Sequence, residues 1–362
     1  MAKRCALLLL VATLTAFAVT QVTVRQLERV LEVAHGQSDA RLNKQLSDLE
    51  LTERLDPGLR SQWEADLPGP ASRQTLLVLA DASAFLEPPP GELPAMPPPT
   101  LATQRQIIAR SADFARKTIS KLPNFYATRD TLRFDNTPSS APESEPLHHV
   151  DSSKDTVLYR DGRELVALSA AERKQYGLAS PGLATLGVFG PILGSVLMDT
   201  AHGTLAWSHW EQGAAGPAAV FSYKIPKASS HYEVRLAGKY QDRPAYHGEF
   251  AVDPANGAIL RLTIQADPEK ASPIVKSGVL VVYGPVTIAG KTYICPLKSV
   301  TIEVFYPGCM VASGAACGAI ASSRALVMQR SLNDVTFSLY HVFRAESRML
   351  TGAAIPAKSD LR

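Results

Sequence analysis

The sequence predicts an α+β chain. A small N-terminal helical module comes first, followed by a curved, open antiparallel β-sheet, a half-barrel plugged by helices. Three observations predict it. Residues 204–345 read as one short alternating strand after another, closed by Gly, Pro and Asn. Ahead of a proline-rich run, apolar residues recur at helical spacing. Between these parts lies GLATLGVFGPILGSVLMDT, residues 182–200, apolar all round except for Asp199. Such a segment is stable only when buried. A curved meander with one apolar face must close on itself or be covered.

The N-terminus reads as an export signal. Lys3 and Arg4 precede the apolar run 5–19, and Ala16-Phe17-Ala18 is a small-x-small cleavage site. The run is too short for a membrane span, which needs roughly 20 residues. Residues 1–18 are therefore expected to be removed, leaving the mature protein in the periplasm or outside the cell.

The helical module is expected over 19–86. Thr23 and Gln26 form a capping box before the stripe Val24, Leu27, Leu31 and Ala34. Leu42, Leu46 and Leu49 suggest a second helix. Asp56-Pro57 caps and starts a third, which stops at Leu67-Pro68-Gly69. Residues 71–85 carry Leu76, Leu77, Leu79 and Phe85 on a fourth. Short amphipathic helices must bury their stripes against one another. Seven prolines between Pro88 and Pro99 then make 87–100 an extended spacer.

The sheet domain is expected over 101–350, with a flexible tail at 351–362. A long helix, 101–122, presents Ile107, Ile108, Ala112, Ala115, Ile119 and Leu122. A strand from Asn124 to Phe134 follows, then a polar insert, 136–154, that reads as a mobile loop. Asp161-Gly162 joins two strands in a hairpin. Ser169 and Glu172 cap a short helix. The glycines and Pro191 of the apolar segment should bend or split it. Asn256-Gly257 and Ala289-Gly290 are further hairpin turns.

Composition excludes some function classes. The chain has 37 Lys and Arg against 34 Asp and Glu, and loss of Lys3 and Arg4 leaves a net +1. That is no footprint for nucleic acid. Cys309 and Cys317 flank a small-residue loop, and a disulfide between them would add roughly 2–3 kcal/mol. Cys295, mid-strand, should remain a buried thiol. No Cys-x-x-Cys is present, and no cofactor or metal is expected.

The chemical motifs are sparse. Gly284 to Thr292 superficially suggests a phosphate loop, but it has five residues between glycines and joins two strands. Trp207, His209 and Glu211 share a strand face, as do His247 and Glu249, but no three-ligand metal spacing is visible. No G-x-S-x-G occurs, and Ser195 lies in the apolar segment.

The order helix, strands, apolar segment, meander resembles the LolA/LolB-like fold of exported lipoprotein carriers over about residues 101–345. That resemblance implies an open sheet around an apolar cavity plugged by helices. The phrases LPNFYATRDTLRF, FGPILGSVLMD and YHGEFAVDPANGAILRLTIQAD, among others, are similar to a family of exported proteins from Acidobacteria. That second resemblance implies an envelope protein and carries over no catalytic residue.

Three functions follow as expectations. The first is binding of a lipid or acylated protein in the sheet's cavity, with Trp207, Phe221, Phe250, Tyr283, Phe337, Phe189 and Ile192 lining it and peripheral contact with a membrane. The same side chains would equally fill an ordinary core. The second is an envelope interaction or structural role without a small ligand. The third is an unrecognised hydrolase.

Overall fold

The computed structural model describes residues 19–138, 145–166, 188–213, 216–236, 240–307 and 327–342. The signal segment, the Ser169–Glu172 cap, the Cys309–Cys317 bridge and the tail lie outside the described residues.

The helical module forms around its own core. A strand β1 (Thr20–Val22) leads into α1 (Val24–Val33), where Thr23 and Gln26 make the full reciprocal capping box. Next come α2 (Asp39–Ser47), β2 (Leu49–Leu51), α3 (Pro57–Asp66) and α4 (Pro70–Ala82). Asp56 caps α3 by accepting from the Gly58 and Leu59 amides. Asp39 accepts from the Ser72 hydroxyl at 2.6 Å and from two amides of α4, so α2 caps α4 across space. Leu27, Leu42, Leu46, Leu55, Leu76 and Leu79 meet in the middle. The parallel pairing of β1 with β2 has no sequence signature, because three residues are too few to show a period.

The proline segment is anchored at both ends. Arg54 donates its amide to the Glu87 carbonyl, and Trp210 donates its indole N–H to the Pro97 carbonyl at 2.9 Å. It leads into α5 (Leu101–Lys121). The buried side of α5 carries Ile107, Ser111 and Ala115, while Ala112 is exposed. Ser111 tolerates burial there because its hydroxyl donates to the Ile107 carbonyl at 3.0 Å.

The remaining strands are β3 (Phe125–Asp135), β4 (His148–Arg160), β5 (Arg163–Val166), β6 (Thr204–Gly213), β7 (Gly216–Ile225), β8 (Val234–Leu236), β9 (Tyr240–Asp242), β10 (Ala245–Val252), β11 (Ile259–Asp267), β12 (Ile274–Ile288), β13 (Lys291–Phe305) and β14 (Gln329–Val342). One further helix, α6 (Pro191–Asp199), precedes β6. Ten strands form one open antiparallel sheet in the order β5-β4-β3-β14-β13-β12-β11-β10-β7-β6, and β8 and β9 form a separate small hairpin. Asp161-Gly162 and Ala289-Gly290 turn with positive φ at both residues, as two-residue hairpins require.

Part of the polar insert is strand rather than loop. His148 to Lys154 pair with β3, with one bulge at Val150. Their side chains are solvated on both faces, so ladder hydrogen bonds hold them and no apolar alternation announces them.

The sheet is covered on both faces. One face packs α5, Val188, Phe189 and α6 over Phe125, Tyr159, Phe221, Phe250, Val281 and Phe337. The other packs α4 over Leu280, Val300, Ile302 and Leu332. The module therefore shares a hydrophobic cluster with the sheet instead of standing apart from it. Gly278 makes room for this contact: a Cβ there would lie 3.0 Å from the Phe85 ring.

Candidate functional site

The expected ligand-lining residues do come together. Phe189, Phe221, Phe250, Tyr283 and Phe337 are buried members of one cluster, and Trp207 and Ile192 pack against it half-buried. The Phe189 ring meets Phe337 at 5.0 Å and Phe125 at 5.5 Å, both edge to face. The Phe221 ring stacks on Phe250 at 5.8 Å and meets Trp207 edge-on at 5.6 Å. Phe189 anchors the run into α6, and the Tyr283 hydroxyl donates to the preceding Val188 carbonyl at 3.4 Å.

At its other end α6 is fastened by its one charge. Asp199 is 1% exposed. Its carboxylate accepts from the His231 amide at 2.8 Å and from the Tyr246 hydroxyl at 2.7 Å, and it meets His231 Nδ1 at 2.5 Å. Burial first, and Asp199 second, hold the Tyr246 phenol well above its ordinary range. Gly190, with φ 149°, breaks the chain just before Pro191 starts the helix. So α6 is a nine-residue helix between a glycine joint and a polar latch. Its burial is one-sided: Leu193 and Val196 face the sheet, and Met198 is 59% exposed.

A cleft of about 470 Å³ opens between α5 and the β12–β13 hairpin. Arg110, Lys117 and Lys121 rim it with Asp113, which pairs with Lys117 at 2.5 Å and leaves the rim a net +2, and Tyr293 and Ile294 of its wall pack against the cluster under α5.

A second cleft, about 360 Å³, lies on the opposite face between the module and strands β6, β7, β10 and β11. A bulge at Ser208 puts Trp207 on the α5/α6 face but His209 and Glu211 on this one, so the three do not share a face. Arg54 and Arg261 both bind Glu211, at 2.7 and 2.6 Å. Burial pushes the Glu211 carboxyl up, but His209 and the two guanidinium groups pull harder and hold it well below the usual range. Glu87, His209 and Glu249 bring three metal-ligand atoms within 4.8 Å of one another. The Arg261 guanidinium is 3.7 Å from Glu249. Two arginines beside the cluster oppose a cation, and we read it as an ion-pair network fastening the module to the sheet. The Ser208 hydroxyl reaches both His209 Nδ1 and Glu249. On the far side of the ring, His209 Nε2 lies 3.7 Å from the Glu211 carboxylate.

Elsewhere, Cys295 lies free and buried in β13, and burial pushes its thiol up to about 12. His247 pairs with Asp267, and His149 with Ser152.

No protein-family description matches the chain, and no curated protein matches it. Among solved structures it is similar to MucB in complex with MucA(peri), at 11% identity over 65% of this chain and 94% of the matched chain, with a TM-score of 0.21. A likeness at that TM-score carries no structural argument. Among the described residues, no helix is long and apolar enough to cross a membrane.

Sequence reasoning missed Asp199, Tyr246 and His231. Asp199 had a signal, being the sole charge in the segment 182–200. A lone acid in an apolar run is buried only with partners, and those partners arrive from β10 and the loop after β7, which no local pattern reveals.

Proposed function

We propose that this is an exported envelope protein that binds a hydrophobic ligand, a lipid or an acylated protein, on the α5/α6 face of a curved, LolA/LolB-like sheet, without catalysing a reaction. The observation that carries this reading is the cover of that face. A ten-stranded sheet face is closed by α5 and a short helix hung between Gly190 and the Asp199 latch. A second sheet would close it permanently, whereas among the described residues three polar contacts of Asp199 and the apolar packing of Ile192, Leu193, Val196 and Leu197 hold α6. The aromatic surface beneath is continuous, which is what an acyl chain requires. The ligand enters as α6 swings out about Gly190, and the basic rim of the cleft beside α5 attracts anionic membrane surface.

Uptake of a fluorescent fatty acid by the purified chain tests this. Asp199→Asn weakens the latch, so uptake should become several-fold faster with the affinity little changed. Ile192→Asp places a carboxylate against the cluster and should weaken uptake and stability together. Absence of uptake by wild-type protein for every lipid probe would defeat the reading.

A further inference from the structure

The α5/α6 face changes character along its strands. Near α6 it is aromatic, with Phe125 and Phe337 both against Phe189 and the Tyr283 hydroxyl on the Val188 carbonyl. Farther along, the paired residues turn polar. Ser277, Glu303, Ser331 and Asp135 stand in one row across β12, β13, β14 and β3. Thr301, Asn333 and Arg133 continue the next row from Val279, and Ser299 stands between Val281 and Val335 in the third. Val279, Val281 and Val335 belong to the apolar cluster, which fixes these polar residues on the same face. Beyond them Val234, Ile274 and Phe305 close the floor with a small apolar cluster of their own.

On β12, β13 and β14 these polar side chains are deeply buried, and on β3 Arg133 and Asp135 are half-buried. Ser299 is 0%, Glu303 2% and Ser331 3% exposed. Buried polar atoms in folded proteins nearly always have a hydrogen-bond partner. Here Ser299 Oγ, Glu303 Oε2, Ser331 Oγ, Asp135 Oδ1 and Arg133 Nε have none. Five orphaned atoms on adjoining strands of one face are a hydrogen-bonding surface without its partner.

We infer that this polar end is a headgroup site, and that the ligand is a single-chain amphiphile with an uncharged, hydrogen-bonding headgroup of the glyceride ester or amide class. The inference rests on the carrier reading above. The chain lies toward Phe189 and Phe337, and the headgroup lies over Ser299, Ser331 and Glu303. The floor offers donors and acceptors in mixture, and Arg133 and Asp135 carry opposite charges. Arg129, a second cation on this face among the described residues, is taken by Asp155 at 3.2 Å. No excess charge is left to neutralise an ionic headgroup, and an unpaired ion would be desolvated at great cost. Burial, opposed by the Ser277 hydroxyl, pushes the Glu303 carboxyl up to about 8. At neutral pH it is thus a neutral acid that both donates and accepts.

The test uses the full chain loaded with a fluorescent acyl probe, displaced by monopalmitoylglycerol, palmitate or hexadecane. Monopalmitoylglycerol should displace at least ten-fold more tightly than either of the others. Ser299→Val with Ser331→Val should keep hexadecane binding but abolish the preference. Ser331→Ala removes one hydroxyl without adding volume and should reduce the preference about three-fold, should the double variant misfold. Glu303→Gln should retain it. Equal displacement by all three compounds, tighter displacement by palmitate, or a preference that survives loss of both hydroxyls would overturn the headgroup site and leave ligand carriage standing. Failure of all three to displace the probe, together with failure of the probe to bind, would overturn the carrier reading itself.

Discussion

Lys298 illustrates what single side chains decide here. It shares a strand face with Val300 and Ile302, and α4 covers it. Its ammonium meets Asp81 and Asp334 at 2.6 Å each. Burial opposes its charge, but the two carboxylates hold it above the usual lysine range. Burial and the Asp334 carboxylate in turn hold Asp81 well above its ordinary value despite the lysine. Lys298→Met removes the cation between two buried acids and should cost about 3–5 kcal/mol of stability in urea titration; a loss under 1 kcal/mol would show that water reaches the pair. Glu303 gives a pH signature. Its folded value, about 8, lies above the ordinary 4.5. The unfolded chain therefore ionises first, and stability present below about pH 4.5 is lost as pH rises to about 8. The loss is roughly 4–5 kcal/mol. Glu303→Gln should be more stable than wild type at pH 8, with the difference vanishing near pH 4. A constant difference across that range would contradict the burial of an isolated acid. Neither residue was legible in the sequence, since what buries a strand face is decided by an element far away in the chain.

At the scale of elements, boundaries and caps were legible and side-chain faces were less so. The Thr23 and Asp56 caps, the Asp161-Gly162 and Ala289-Gly290 turns and the split at Gly190-Pro191 are local chemistry, and local residues specify them. Faces failed where a bulge inserts a residue. Leu260 is extra opposite the Ala251–Val252 step, so Ile259 and Leu262 share a face that strict alternation forbids. The bulge at Ser208 likewise separates Trp207 from His209. The apolar segment was expected to be buried all round, yet α6 exposes Met198 and buries its one acid. On the proposed carrier reading, this one-sidedness is what lets α6 leave the sheet. In hydrogen exchange the amides of α6 should open faster in Asp199→Asn than in wild type, with those of β12 and β13 unchanged. Equal protection of α6 in both proteins would mean that the latch does not hold it.

On the scale of the whole molecule, the sheet is a wall between two cores. The module's α4 packs one face and the candidate ligand surface occupies the other. Composition announced a separate module and a spacer, because proline density is local. It could not announce that Phe85 would lie over Gly278 or that Asp81 would meet Lys298. The spacer's residues 95–98 are exposed, so protease should cut there. The two fragments should nevertheless co-elute in gel filtration, since the α4 cluster and the Arg54–Glu211 contact hold them; separate elution would contradict that packing. Ligand carriage is tested most directly by native mass spectrometry of the full chain purified without detergent. One discrete lipid adduct per chain, lost at raised collision energy and absent from Ile192→Asp, is the expected result. Wild-type chain at its bare mass alone, even after incubation with monoacylglycerol, would contradict it.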